Sequence, residues 1–579
     1  MTHSLRLLSS SLLALALAVA SGSAGNAATP FDVRQPSLTG SFLAGQQAMV
    51  DLRTADAAKY FRDASEVDWD NPIIVERAFV AYAANGDVGA AALTAQRLVE
   101  LQPDNELARL VIAAEAVKQR RYGAAAEELD KLGAETFAGI TGGILRAWAF
   151  AGDKDLDGAY ALLDEIGRDG LGDFLVFHRA LMADVAGDSA KALEFAARAH
   201  EVDPFVARIV EAYARMLGNA GRFDEATEVI EKFESEGLTH PLVDAVKSSI
   251  EKKQRPGLFA SSVQSGAAEM FHGIGVALAR DGSVDLAMVF LQLGLYLDPR
   301  ADVIALVIGQ LLDSNGEHDA ANAIYDSIAA NSPMKATAVV RVAENLDALG
   351  DRNEAIRRLG NIVRANPDDL DALSVLGDLQ RTDKRYAEAA ATYTRALEVD
   401  SGDSPGDWRF YYVRGIAYER AKEWPKAEAD FLRALQLRPN QPQVLNYLGY
   451  SWVDQGINLE PALDMIEKAV AAAPNDGYII DSLGWAFYRL GRYEEAVEAL
   501  EHAVQLRPND PEINDHLGDA YWRAGRKLEA RFQWTVASYV DEEGNVKERV
   551  LPKLAGGLDA APQTEDSAPI AEEPAAIVQ

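Results

Sequence analysis

Alanine recurs along this chain at intervals close to 34 residues, and this repeat constrains the fold more than any other feature. Counted from Ala496, the register runs forward to Ala530 and back to Ala287, breaks for 61 residues, and resumes from Ala226 to Ala57. Units of this length bury their apolar faces only against neighbouring units, so the repeat predicts a solenoid. The fourteen register residues are Ala57, Ala91, Ala125, Ala159, Ala192, Ala226, Ala287, Ala321, Ala355, Ala389, Ala427, Ala462, Ala496 and Ala530.

Residues 476–508 show the unit most clearly. Apolar residues recur at helical spacing on both sides of Gly491-Arg492, which predicts two short amphipathic helices joined by a tight turn. Gly484 lies inside the first helix, where glycine costs about 1 kcal/mol relative to alanine. We therefore expect the second helix to approach Gly484 closely, with Ala496 facing it. Pro508 ends the unit.

The unit resembles the tetratricopeptide repeat (TPR), which has Leu-Gly early in helix A and small or large apolar residues at fixed positions after it. The matching residues are Leu483-Gly484, Phe487, Ala496, Leu500, Ala503 and Pro508, and again Leu517-Gly518, Tyr521, Ala530, Trp534 and Ala537. The resemblance extends from about residue 38 to 540. It implies an all-α, right-handed superhelical solenoid of about fourteen TPR helix pairs in two arrays.

The interruptions of the register predict the domain boundaries. Residues 1–27 are typical of a signal peptide, because Arg6 precedes an apolar run that ends in small residues. Residues 28–37 are a linker, 38–235 the N-terminal array, 236–265 an extra helix and hinge, and 266–540 the C-terminal array. Residues 541–579 form a C-terminal extension whose acidic tail we expect to be disordered.

Charge and cysteine content narrow the classes of partner and the compartment. A net charge of −33 and a pI of about 4.7 argue against nucleic acid and against anionic lipid as main ligands. The chain contains no cysteine, which excludes disulfides, thiol catalysis and a lipid-anchor cysteine. With residues 1–27 interpreted as a signal peptide, we expect an exported, periplasmic protein without a lipid anchor, associated with the envelope through a partner.

Two motifs match functional patterns by letter. Residues 153–164 resemble a calcium loop, but the repeat register places helix B from Ala159 onward, and Asp155 and Asp157 also suit helix N-caps. Residues 402–406 read G-x-S-x-G, but a nucleophile elbow needs a strand before the serine. We therefore expect no catalytic residues, no metal and no cofactor, and interpret the chain as a non-enzyme. A helical-solenoid enzyme is the alternative from another class.

Aromatic and polar residues on the last helices A are the candidate binding site. The TPR resemblance implies that helix A residues line a concave groove that receives peptides, and aromatic and arginine side chains are the usual hot spots of binding. Two readings stay open, a partner-binding groove or aromatics that pack between adjacent helices A. The groove candidates are Tyr412, Asn446, Tyr450, Asp481, Trp485, Tyr488, Arg489, Asp515, Trp522 and Arg523.

The last units contain NYLGYS at 446–451, DSLGWAFYRLGRY at 481–493 and HLGDAYWRAGR at 516–526. In these segments they resemble exported bacterial TPR proteins, among them outer-membrane TPR lipoproteins that act as adaptors of carboxyl-terminal processing proteases. The resemblance implies a non-catalytic scaffold or adaptor of the bacterial cell envelope that binds another protein or an extended peptide, with such a protease as one partner. A structural factor for envelope assembly or polysaccharide export is the alternative.

Overall fold

The computed structural model of the protein describes residues 37–133, 135–166, 171–400, 402–542 and 544–558. In these ranges the chain forms thirty α-helices and one 3-10 helix (Pro405–Asp407), with no strand. The predicted signal peptide, residues 28–36 of the predicted linker and residues 559–579 of the predicted tail lie outside the described residues. The all-α prediction is confirmed for the part of the chain that the structure describes.

The helices follow one another with short connections. The first array comprises α1 (Leu38–Val50), α2 (Thr54–Val67), α3 (Pro72–Ala84), α4 (Val88–Leu101), α5 (Glu106–Lys118), α6 (Tyr122–Leu129), α7 (Phe137–Gly152), α8 (Leu156–Ile166), α9 (Gly172–Ala186), α10 (Ser189–Val202), α11 (Ala207–Asn219) and α12 (Phe223–Glu234). The junction holds α13 (Pro241–Glu251). The second array comprises α14 (Val263–Arg280), α15 (Val284–Leu297), α16 (Asp302–Ser314), α17 (His318–Ser327), α18 (Lys335–Ala348), α19 (Arg352–Ala365), α20 (Leu370–Thr382), α21 (Tyr386–Val399), α22 (Trp408–Arg420), α23 (Trp424–Leu437), α24 (Pro442–Asp454), α25 (Leu459–Ala472), α26 (Gly477–Arg489), α27 (Tyr493–Leu506), α28 (Pro511–Arg523) and α29 (Lys527–Val540), and α30 (Asn545–Gly556) follows it.

Consecutive helices pack as pairs of an A helix and a B helix, from α1–α2 to α11–α12 and from α14–α15 to α28–α29. These are fourteen pairs, as the register of alanines predicts. Two of the thirty helices stand outside the pairs. One is α13, at the place where the sequence predicts an extra helix, and its Val246 and Ile250 are buried. The other is α30, which packs on α28 and α29.

The small repeat residues, alanine in helix B and glycine in helix A, lie where the two helices of a pair come closest. Ala496 has no exposed surface, and a Cβ atom added to Gly484 would run into the side chain of Leu500 on the facing helix. A Cβ at Gly415 would likewise lie 2.6 Å from the ring of Phe431. Real Cβ contacts are essentially never this short, so glycine is required at these two positions. The close approach predicted at Gly484 is confirmed.

The pair α14–α15 does not simply continue the stack. It packs mainly against α3, α5, α7 and α9, which are A helices of the first array, and also touches α4. Tyr296 on α15 donates its hydroxyl to Glu115 on α5 at 2.5 Å, and Lys118 bonds the carbonyl oxygen of Leu297 at 3.2 Å. On α14, Gly266 lies against the ring of Trp148. One hydrophobic core therefore runs from the first array into α18.

A buried ion pair joins the same parts of the chain. Arg208 on α11 makes two hydrogen bonds to Glu269 on α14, at 3.0 and 2.6 Å, and a third to Glu211 at 2.6 Å. Burial opposes both charges, but the guanidinium holds the pKa of Glu269 well below its ordinary value. The sequence predicts a hinge in residues 236–265, and that movement stays a prediction. The described contacts link the arrays on both sides of this segment.

Candidate partner-binding groove

Neighbouring A helices of the second array touch one another, as in α18–α20, α20–α22, α24–α26 and α26–α28. The A helices therefore form the inner layer of the solenoid, and the ten candidate residues lie on its last four members. The structure places these residues at three depths. Tyr412, Asp481, Trp485 and Asp515 are buried, Asn446, Tyr450, Tyr488 and Trp522 are half-buried, and Arg489 and Arg523 are exposed.

The ring of Trp485 lies inside the stack of helices. It stacks on Tyr488 at 4.8 Å between ring centroids and on His516 of α28 at 4.2 Å, and 7% of the residue is exposed. Tyr412 is 2% exposed and packs against Phe431 at 6.1 Å. These two rings fill space between helices, as the second of the two readings describes. The role of the ten residues in binding a partner stays a prediction.

Three of the candidates carry buried polar atoms that lack a hydrogen-bond partner among the described residues. They are the amide oxygen of Asn446, the hydroxyl of Tyr450 and the indole N–H of Trp485. The first two lie on α24 and the third on α26, and these helices are in contact. An unpaired buried polar group costs about 1–3 kcal/mol, and most such groups in native proteins are paired. These atoms therefore have unused hydrogen-bonding capacity.

The electrostatic surroundings of Tyr450 keep its hydroxyl protonated. Burial raises its pKa well above the ordinary value, and the carboxylates of Asp454, Asp481 and Glu512 raise it further. A protonated phenol remains a hydrogen-bond donor at every physiological pH. The hydroxyl of Tyr450 is thus suited to bind a carbonyl oxygen.

The last helix in the described part of the chain, α30, covers the end of the inner layer of A helices. Lys553 of α30 bonds Asp515 at 2.6 Å and Asp519 at 2.7 Å, and Arg549 bonds Asp515 at 3.0 Å. Gly557, just after α30, lies against the ring of Trp522. Two of the predicted groove residues, Asp515 and Trp522, are therefore in contact with the chain's own C-terminal helix.

Sequence reasoning missed α30, although the repeat period carried a signal for it. Arg549 and Lys553 lie 34 residues after Asp515 and Asp519, at the position of the next helix A. The helix thus takes the place of the A helix of one further unit. This places cations opposite carboxylates at equal register positions.

A histidine that the sequence reading also missed links α26 to α28. His516 lies 2.9 Å from the carboxylate of Asp481, and 3% of the residue is exposed. Burial opposes its charge, but Asp481, Glu512 and Asp515 together raise the pKa of His516 above its ordinary value. Burial also opposes the charge of Lys553, but the carboxylates of Asp515 and Asp519 outweigh this effect and raise the pKa of Lys553 above its ordinary value.

The two motifs that match by letter have structural explanations. Asp155 accepts a hydrogen bond from the backbone N–H of Gly158 at 2.9 Å, next to the start of α8, so it acts as a helix cap. Ser404 accepts one from Gly406 at 3.2 Å and caps the short 3-10 helix. Within the described ranges, no group of three or more His, Cys, Asp or Glu side chains is placed to hold a metal ion. None of the helices described is long and apolar enough for a membrane span.

Comparison with known proteins finds relatives over part of the chain. A TPR repeat-containing protein of Pseudomonas aeruginosa is 27% identical over 155 residues, which are 27% of this chain and 26% of that protein. Superkiller complex protein 3 of Mus musculus is 28% identical over 132 residues, 22% of this chain and 8% of the mouse protein. The chain thus matches well under two thirds of the length of these relatives.

Solved structures of repeat proteins align at low similarity. A tetratricopeptide repeat protein from Parabacteroides merdae has a TM-score of 0.38 and 13% identity, covering 44% of this chain and 98% of its own. Yeast Tom70 has a TM-score of 0.34 and 12% identity, covering 90% of this chain and 95% of Tom70.

Models of repeat families match defined segments of the sequence. The model described as TPR repeat matches residues 484–525, and the model described as tetratricopeptide repeat matches 341–404 and 385–442. This chain therefore contains tetratricopeptide repeats in its second array.

Proposed function

We propose that this protein is a non-catalytic scaffold that binds an extended segment of a partner protein along α24 and α26. The observation that carries the proposal is the set of unpaired polar atoms on these helices, in Asn446, Tyr450 and Trp485. An extended peptide presents carbonyl oxygens and N–H groups at regular intervals along its backbone. Tyr450 and Trp485 would donate to its carbonyl oxygens, and the amide oxygen of Asn446 would accept from an N–H.

The first array offers less room for such a ligand. Its inner helices α3, α5, α7 and α9 already contact α14 and α15. A partner on that face would have to displace a pair of helices and the hydrogen bonds of Tyr296 and Lys118. The second array has no equivalent insertion among the described residues between α16 and α26. We therefore place partner binding on the second array.

Substitutions that remove one hydrogen-bond donor test the groove. A ligand is first selected from a displayed library of random peptides, and its dissociation constant is then measured for Tyr450→Phe and Trp485→Phe. Each change removes a donor and keeps an aromatic ring. A hydrogen bond contributes about 0.5–1.5 kcal/mol, so we expect binding to weaken roughly 2- to 12-fold for each variant.

Tyr60→Phe is the matched control, because Tyr60 lies on α2, a B helix of the first array, and loses the same atom as Tyr450. Equal affinity of the wild type and both groove variants would refute the placement of the ligand. Thermal melting of each variant checks that the fold is kept.

We further propose that the protein works in the bacterial cell envelope. The support is the pattern of residues 1–27, with one arginine, an apolar run and small residues. Residues 1–37 fused to a reporter that is active only after export should give activity. The same fusion with the apolar run from Leu7 to Ala20 interrupted by two arginines should not, and equal activity of both would contradict export.

A carboxyl-terminal processing protease is the partner that we propose for this adaptor. The support is the resemblance of the last repeats to those of known adaptors. In a reconstituted digest, the protein should increase the rate of cleavage of a misfolded envelope substrate, and Tyr450→Phe should reduce the gain. No change of rate would favour the alternative role in envelope assembly or polysaccharide export.

A further inference from the structure

The outer face of α29 carries a stripe of large apolar residues that nothing in the described chain covers. Leu528 is 82% exposed, Phe532 66% and Tyr539 88%. Together with Thr535 they recur every three or four residues, so they lie on one side of the helix. The opposite side, with Trp534, is buried in the core of the array.

The repeat allows this face to be compared with the other B helices. Relative to the register alanine, the stripe occupies positions −2, +2, +5 and +9. Among the fourteen B helices, only α15 and α29 have more than one large apolar residue at these positions. The same positions on α27 and α25 hold Glu494, Glu498, Glu501, Gln505, Glu460, Asp464, Glu467 and Ala471.

The other exception shows what an apolar outer face means in this molecule. On α15 the positions include Val289 and Tyr296, and that face packs against α3 and α5. Val289 is 1% exposed, and Tyr296 bonds Glu115. On α15, therefore, the apolar residues at these positions lie against another part of the protein. The stripe of α29 therefore has the composition of a covered face.

The spacing of the four stripe residues allows the stripe to pair with the same stripe of a second copy in the antiparallel direction. Leu528 and Tyr539 lie at equal distances from a midpoint between residues 533 and 534, and so do Phe532 and Thr535. An antiparallel second α29 would pair Leu528 with Tyr539 and Phe532 with Thr535, as a two-fold axis requires. We infer that two copies of this protein associate through antiparallel contact of their α29 helices.

Charge and area support this occupant. Each α29 begins with an exposed Lys527, and an exposed Glu542 follows its C-terminal end. Antiparallel packing brings the basic end of one helix to the acidic end of the other, which limits the repulsion between two acidic chains. Since a covered aromatic side chain buries about 150–250 Å², Leu528, Phe532 and Tyr539 supply on the order of 500 Å² per chain. That is below the ~800 Å² per partner of a stable complex, so the dimer is reversible.

Light scattering after size exclusion tests association. From about 1 to about 200 μM, the molar mass of the full chain should rise from one copy toward two, as expected for a small interface. Phe532→Glu should remain a monomer throughout. The matched control is Leu93→Glu, at the same register position of α4 and 67% exposed, which should behave as the wild type. A wild-type monomer at every concentration, or masses that grow beyond two copies, would overturn the proposal.

Cross-linking through introduced cysteines tests the antiparallel geometry. Because the chain has no native cysteine, any disulfide that forms must join the introduced residues. With a rise of 1.5 Å per residue, two Thr535 residues lie about 5 Å apart along the axis and two Leu528 residues about 16 Å. Disulfides need Cα atoms within about 7 Å. On oxidation Thr535→Cys should give a covalent dimer, as should a mixture of Leu528→Cys with Tyr539→Cys. Leu528→Cys alone and the control Gln96→Cys should not, and a dimer of Leu528→Cys alone would refute the antiparallel arrangement.

Discussion

Lys553 holds the C-terminal helix in place, and Lys553→Met measures how much it contributes. Its ammonium group contacts Asp515 at 2.6 Å and Asp519 at 2.7 and 2.8 Å, and 5% of the residue is exposed. Methionine keeps most of the apolar stem but leaves two carboxylates buried beside each other. Removing one partner of a buried ion pair costs about 3–5 kcal/mol. An isolated helix as short as α30 is marginal in water, so it cannot absorb this loss.

The expected result is local unfolding of α30 rather than loss of the whole fold, because each unit of a solenoid is stabilised mainly by its neighbours. With every 1.4 kcal/mol equal to a factor of ten, hydrogen exchange in α30 should become faster by roughly two to three-and-a-half orders of magnitude, or until opening is complete. Exchange in α28 and α29 should increase less. Exchange in the first array should not change.

Lys547→Met is the control, because Lys547 is exposed on the same helix and its side chain forms no ion pair in the described chain. Partial recovery is expected when Asp519→Asn is combined with Lys553→Met, since Asp515 keeps its bond to Arg549 and Asp519 is the carboxylate left without a cation. Equal protection of α30 in the wild type and in Lys553→Met would refute the argument. So would the same acceleration in Lys547→Met.

Three further predictions address other parts of the molecule. Ala496→Glu places an unpaired charge at a position with no exposed surface, so it should cost several kcal/mol and melt the last pairs before the first array in hydrogen exchange. The raised pKa of His516 means that its stabilising charge is fully present below pH 6.5 and is lost as the pH rises through the folded value, so the melting temperature should fall above that pH, and His516→Gln should flatten this part of the profile. Arg208→Met leaves Glu269 buried without its guanidinium, so amides of α14 should lose protection while those of α26 keep it.

The repeat pattern predicted most of the fold because its cause is local. Gly484 and Ala496 mark where two helices of one unit touch, and the contact of Gly484 with Leu500 depends only on residues of that unit. The fourteen register alanines therefore locate fourteen pairs. Burial at the candidate groove was harder to predict, because Trp485 is covered by His516 of the following unit. A ring that is surplus within its own pair can still be required between pairs.

Contacts between distant units leave a weaker trace in the sequence. Lys118 and Tyr296 are 178 residues apart, and no period of 34 residues connects them. A trace nevertheless exists in the outer positions of the B helices, where a solvated face needs polar residues and a covered face does not. Val289 and Tyr296 depart from the polar pattern of the other units, and α15 is the helix that enters the first array. Departures from a repeat thus indicate long-range contacts that the repeat itself cannot predict, and the stripe of α29 is the largest such departure whose cover is still to be found.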